Sequence, residues 1–219
     1  MLKHLKWRRF SPSLPTVALG LALGTAMPLM AQHAAEDPVR LEIYTTVPLT
    51  ADLSHLSDRQ KRMISLLIDA AEITDGLFWK QQYGDRDALL DSLDDPRLRR
   101  FAEINYGPWD RLKDDQSFIE GFGPRPLGAQ FYPADMTRAE FEAWDQEGKD
   151  GLYSLVRRDA SGNLTLVPYR DAYARELARL AELLRQAADL AEDEGFADYL
   201  RLRAEALVTD CLLYTSDAA

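Results

Sequence analysis

Between Arg99 and Met136 the chain reads RRFAEINYGPWDRLKDDQSFIEGFGPRPLGAQFYPADM, where glycine and proline interrupt any helix or strand while aromatic rings keep recurring. Gly107, Gly121, Gly123 and Gly128 alternate with Pro108, Pro124, Pro126 and Pro133, interleaved with Phe101, Tyr106, Trp109, Phe118, Phe122, Phe131 and Tyr132. A solvated linker would lack those rings, since segments that stay disordered are poor in aromatics. Backbone without regular structure is fixed by side-chain packing or serves a site. The stretch is therefore expected to form one long ordered loop, over 107–135, anchored by a buried Trp109. Packing and ligand contact both remain open as its role.

The rest of the chain supplies elements around that loop. Val39 to Val47, rich in branched and aromatic residues, suggests a short strand. Ser57 with Gln60 makes a capping box, and Met63, Leu66, Leu67, Ala70, Ile73, Leu77 and Phe78 recur at helical steps, predicting a helix to about Tyr83 stopped by Gly84. A short helix over Asp85 to Leu93 and another opened by Asp95-Pro96 deliver Asn105 to the Gly107-Pro108 break. Thr137 and Glu140 predict a helix from about Arg138 to Glu147, with Phe141 and Trp144 buried and Gly148 ending it. Leu152–Arg158 and Asn163–Tyr169 flank a turn-rich Asp159-Ala160-Ser161-Gly162, the pattern of a β-hairpin. A long amphipathic helix over Arg170–Glu194, closed by Gly195, and a last helix over Phe196–Thr209 complete the reading. The fold class expected is α+β and mainly α-helical, with a short β-hairpin and the long ordered aromatic, glycine and proline loop.

The two ends read differently from the middle. Residues 1–31 carry Lys3, Lys6, Arg8 and Arg9, no acid, and the apolar run Val17 to Gly24 before Leu29-Met30-Ala31. That is the layout of a secretory signal peptide, with a run too short to span a bilayer. Residues 32–38 then form a flexible start of the mature chain, and the expected location is the periplasm or outside the cell. Setting the four leader cations aside turns the formal charge of −10 into −14. Such a chain repels phosphate backbones and anionic lipid, excluding nucleic acid and, after leader cleavage, a membrane as partners. At the other end, residues 211–219 (CLLYTSDAA) abruptly replace an Arg- and Glu-rich helix with a string whose one charge is Asp217, resembling translated sequencing adapter. The expectation is a metagenomic reading frame whose authentic sequence runs to Asp210, so that Cys211 carries no chemistry.

A catalytic zinc site needs about three His, Glu or Cys ligands, commonly two histidines one turn apart on a helix. The chain has only His4, His33 and His55, widely separated. No phosphate-binding glycine loop, nucleophile elbow or cysteine nucleophile is present. The expectation is no catalytic residue, no metal ligand and no bound cofactor in the chain as it stands.

The string FAEINYGPWDRL, followed by FIEGFGPRPLGAQFYPADMT and an acidic helix, resembles the N-terminal region of bacterial zinc metallopeptidases similar to dipeptidyl-peptidase III. The likeness runs from about Leu49 to Asp210, through DLSHLSDRQKRM and VRRDASGNLTLVPY. It implies that residues 39–210 are the N-terminal portion of a larger two-lobed fold, with zinc bound elsewhere in the full-length parent. It also implies dipeptide release from peptide N-termini by metal-activated water with a glutamate as base. Peptide substrate and the remainder of its own chain are then the partners. In this segment Asn105, Tyr106, Trp109 and Asp110 are the candidate substrate-binding residues. The family motif His-Glu-x-x-Gly-His is absent from these 219 residues. Two other readings stay open: a non-catalytic periplasmic peptide- or protein-binding module, and a relative that keeps the fold for a different hydrolysis. If part of a larger fold is present, Leu200 and Leu207 on the last helix should face water.

Overall fold

The computed structural model describes residues 37–209; residues 1–36, with the expected leader, His4 and His33, and residues 210–219, with the expected adapter-like tail, lie outside the described residues. The spine is α1, Asp58–Gln82, opened by the reciprocal Ser57–Gln60 capping box. Gly84, with φ +119°, ends it in a conformation that suits glycine. One side of α1 packs on α6 (Ala174–Leu190) and α7 (Glu194–Thr209) through Ala70, Leu77, Leu177, Leu180, Leu183 and, further along, Ala187, Ala188 and Leu200. Its C-terminal end packs on α2 (Arg86–Asp91) and α3 (Pro96–Asn105) around Trp79, Leu89, Leu90 and Phe101. Both short helices start as their sequences demand: Asp85 accepts from the Ala88 N–H and Asp95 from the Arg97 N–H, with Pro96 at the first position.

Four expectations are corrected. Val39 to Val47 is not a strand: it holds one 3-10 turn over Leu41–Ile43 and no ladder partner. Val39 is buried and Leu41 and Tyr44 pack beside Trp79 and Phe101, so tertiary burial rather than pairing uses the branched residues. The Arg170–Glu194 helix is two helices, α5 (Tyr169–Ala172) and α6, broken at Tyr173, whose buried ring joins the α1–α6 core. Gly195 does not close α6; Ala191 turns extended, and Gly195 lies inside the first turn of α7, whose Phe196 N–H is taken by the Asp193 carboxylate. The helix expected to reach Glu147, α4 (Arg138–Ala143), stops at Ala143, where Lys149 curls back and donates from Nζ to the carbonyls of Phe141, Glu142 and Trp144, and Phe141 and Trp144 are only half-buried.

The hairpin forms inside the expected segments, one or two residues shorter: β3 (Ser154–Arg158) pairs antiparallel with β4 (Leu164–Pro168), Val156 opposite Leu166. Asp159 orders the turn by accepting from the Ser161 and Asn163 N–H groups. A second, two-residue ladder inside the aromatic loop was not legible: β1 (Trp109–Asp110) against β2 (Gln116–Ser117). The architecture is α+β and mainly helical, with two small antiparallel sheets. Leu200 is buried and Leu207 half-buried against α1 and α6, contrary to expectation; Phe196, Tyr199 and Leu202 form the exposed face of α7.

Candidate functional site

The loop is built outward from the end of α3. Tyr106 caps that helix in the left-handed region (φ 54°, ψ 41°), which a non-glycine residue adopts at a cost. The turn drives its ring between Phe78 (edge-on, 4.7 Å) and Trp79 (5.2 Å), and its hydroxyl donates to Asp75 at 2.5 Å. That hydrogen bond and partial burial hold the phenol above its ordinary pKa. Gly107 follows because a Cβ there would sit 3.3 Å from the Trp109 ring, and its φ is +147°.

Asn105, Trp109 and Asp110 turn inward. The Asn105 side chain donates to the Phe101 carbonyl and accepts from the Arg111 N–H, sealing the helix end to β1. Trp109 is buried and its Nε1 donates to the Gly123 carbonyl at 2.9 Å, tying the two halves of the loop together. Asp110, 2% exposed, takes two bonds from Arg40 and one from the Leu112 N–H. The structure brings all four predicted site residues into one turn, with Tyr106 the half-exposed member.

Downstream, arginines that sequence reasoning passed over hold the loop on its neighbours. Arg125 bonds Asp115 and the Gln82 side chain at the end of α1. Arg157 donates to the Gln130 and Phe131 carbonyls, beside the Val156 N–H to Phe131 bond that attaches the loop to β3. Arg158 joins Asp135, Glu140 and the Gly162 carbonyl, and its guanidinium pulls the Glu140 carboxyl below its usual range. The signal available was Arg125 standing inside the glycine- and proline-rich run 121–128.

Two grooves flank the projecting Pro126–Ala129 turn. One, of about 470 Å³, runs along Gln82, Asp114, Asp115 and Arg125; the other, of about 480 Å³, is apolar and lined by Tyr132, Pro133, Met136 and Phe141. Leu127 stands between them, 98% exposed. Among the described residues no three His, Cys, Asp or Glu side chains converge to hold a metal ion, so these residues do not fit a zinc site. His55 is exposed in the loop before α1. No helix of the described residues is long and apolar enough to cross a membrane.

The fold and loop define an α+β, mainly helical protein of a peptidase-like fold. Its described residues are dipeptidyl-peptidase III-like. The dipeptidyl-peptidase III structures from Caldithrix abyssi and from Corallococcus sp. strain EGB each match it with a TM-score of 0.75 at 33% identity, over 83% of this chain and 36% of theirs. A curated relative, Nudix hydrolase 3 of Arabidopsis thaliana, is 26% identical over 242 aligned residues, covering 82% of this chain and 31% of that protein. The chain thus spans about a third of the length of the relatives it matches. The names differ in reaction, and the structural likeness, at higher identity, carries the fold. No family model matches.

Proposed function

We propose that this chain supplies a non-catalytic part of a secreted or periplasmic, zinc-dependent dipeptidyl-peptidase III-like enzyme that releases dipeptides from peptide N-termini. The observation that supports it is the 33% identity and common fold over 83% of the chain with two peptidases of that name. Zinc and the glutamate that would act as general base are supplied by parts of the protein beyond Asp210. Within this part, Asn105, Trp109 and Asp110 serve substrate binding by holding the loop's shape, and Tyr106 meets the substrate at the surface. The exposed Leu127 between two grooves favours a second reading, a peptide- or protein-binding module. The genomic frame beyond the Asp210 codon separates them: a His-Glu-x-x-Gly-His helix is expected, and a stop codon there overturns the peptidase reading. The purified 219-residue chain is expected to release no dipeptide and to retain no zinc after dialysis. One zinc per chain, or dipeptide release abolished by a chelator, would contradict the assignment of catalysis to another segment.

A further inference from the structure

Between Tyr44 and the start of α1 the chain crosses open surface. Residues 45–51 are all exposed, and among the described residues none of them makes a hydrogen bond. The segments on either side are fixed. Upstream, Val39 is buried, Tyr44 stands edge-on to Phe101 at 6.1 Å, and Arg97 donates to the Asp37 carboxylate and the Val39 carbonyl. Arg40 adds its bridge to Asp110. Downstream, the Leu53 carbonyl accepts from the Leu56 N–H, and Ser57 caps α1. A bare run held at both ends is backbone that an endopeptidase can draw into its cleft without breaking the rest of the fold.

Within the run one bond stands out. Pro48 fixes its own φ and biases Val47 toward extended backbone, which suits the strand-like shape that a protease cleft imposes on its substrate. The Val47–Pro48 bond has the proline ring on its leaving nitrogen and is a poor substrate for that reason. Leu49 is the next apolar residue, 96% exposed, with an ordinary amide behind it. Leu127 is as exposed, but its turn is closed by the Ala129 N–H donating to the Pro126 carbonyl, so that backbone cannot straighten without losing a bond.

We propose that the Leu49–Thr50 bond is a processing site for an endopeptidase with an apolar specificity pocket, and that residues 37–49 stay seated on the fold after the cut. Water adds across that amide, leaving a carboxylate on Leu49 and an ammonium on Thr50; nothing is oxidised or reduced. The upstream strap is then held by Val39, Tyr44 and the bonds of Arg40 and Arg97 in place of a covalent link to α1. The inference stands on this segment and does not depend on the peptidase reading. Brief digestion of the whole 219-residue chain with chymotrypsin under native conditions, read by intact mass, tests it. Chymotrypsin prefers aromatic residues, yet within 37–209 the first cut is expected after Leu49 and not after the exposed Tyr153 or Tyr199. The two pieces should leave gel filtration together and separate in urea. Thr50→Pro should abolish the cut without lowering the melting temperature, since the Thr50 N–H bonds nothing among the described residues. A first cut elsewhere within 37–209 overturns the proposal, as does an undiminished cut in Thr50→Pro or separation of the wild-type pieces without denaturant. A lowered melting temperature for Thr50→Pro also overturns it, because the run would then be bonded.

Discussion

Arg40 reaches a carboxylate seventy positions away: its Nε (3.0 Å) and Nη2 (2.5 Å) both donate to Oδ2 of Asp110. The pair fastens the first described residues across the loop that follows α3. Since Asp110 is 2% exposed and Arg40 only 20%, the bridge sits largely out of water. Removing one member of such a pair strands the other's charge.

Arg40→Met should therefore destabilise the chain by about 3 kcal/mol, the low end for a broken buried pair because Arg40 keeps some solvent contact. Asp110→Asn should cost less, since the amide still accepts from the Leu112 N–H. Urea midpoints of the two single variants and the double variant measure this. Additive effects would show that the bridge contributes nothing.

Trp109 anchors the loop by its ring and its N–H. Trp109→Ala is expected to cost about 3–5 kcal/mol, the range for emptying a buried aromatic site. Trp109→Phe keeps much of the packing and loses the bond to the Gly123 carbonyl, for which about 1 kcal/mol is expected beyond the packing difference. An unchanged denaturant midpoint for the alanine variant would show the ring is dispensable.

At Gly128 a Cβ would lie 2.3 Å from the Tyr132 ring, and φ is +74°. Gly128→Ala meets both penalties, about 1 kcal/mol for the left-handed backbone and about 1–3 kcal/mol for the overlap. Removing the ring should relieve the second alone. In Tyr132→Ala the same glycine substitution should cost markedly less, a coupling read by a double-mutant thermal melt. Equal costs in both backgrounds would mean that the ring moves aside freely.

Acid should destabilise the fold in a defined direction. Hydrogen bonds from Arg158 lower Glu140, one from Lys80 lowers Glu176, and backbone N–H groups lower Asp37 and Asp159. A depressed folded pKa gives stability that is present above the unfolded value, about 4, and is lost as pH falls through the folded one. At the other limit, burial raises Tyr173, so its contribution is present below about pH 10 and is lost as pH rises through the folded value. Melting temperatures from pH 7 to pH 3 should fall, and Glu140→Gln should flatten that slope. A Glu140→Gln profile parallel to wild type would remove Glu140 from the acid transition.

What the sequence determined by itself was local. Ser57–Gln60, Asp85, Asp95-Pro96 and Thr137 each place a helix start, because an N-cap bond closes within three residues and needs nothing distant. The hairpin was equally legible, its turn being ordered by Asp159 alone. The likeness of the NYGPWD segment to dipeptidyl-peptidase III was also readable from the residues in order, and the inward Trp109 followed from its density of rings. Only the tertiary structure decided what Val39–Val47 became: its branched residues found a core cluster instead of a strand partner, and β pairing exists only when another edge is in reach. It likewise broke one apolar stripe at Tyr173, where burying a ring outweighed continuing a helix, and it set Arg40 on Asp110 and Lys80 on Glu176. Those pairings join residues far apart in the chain, so no local spacing encodes them; they follow from which helix faces which.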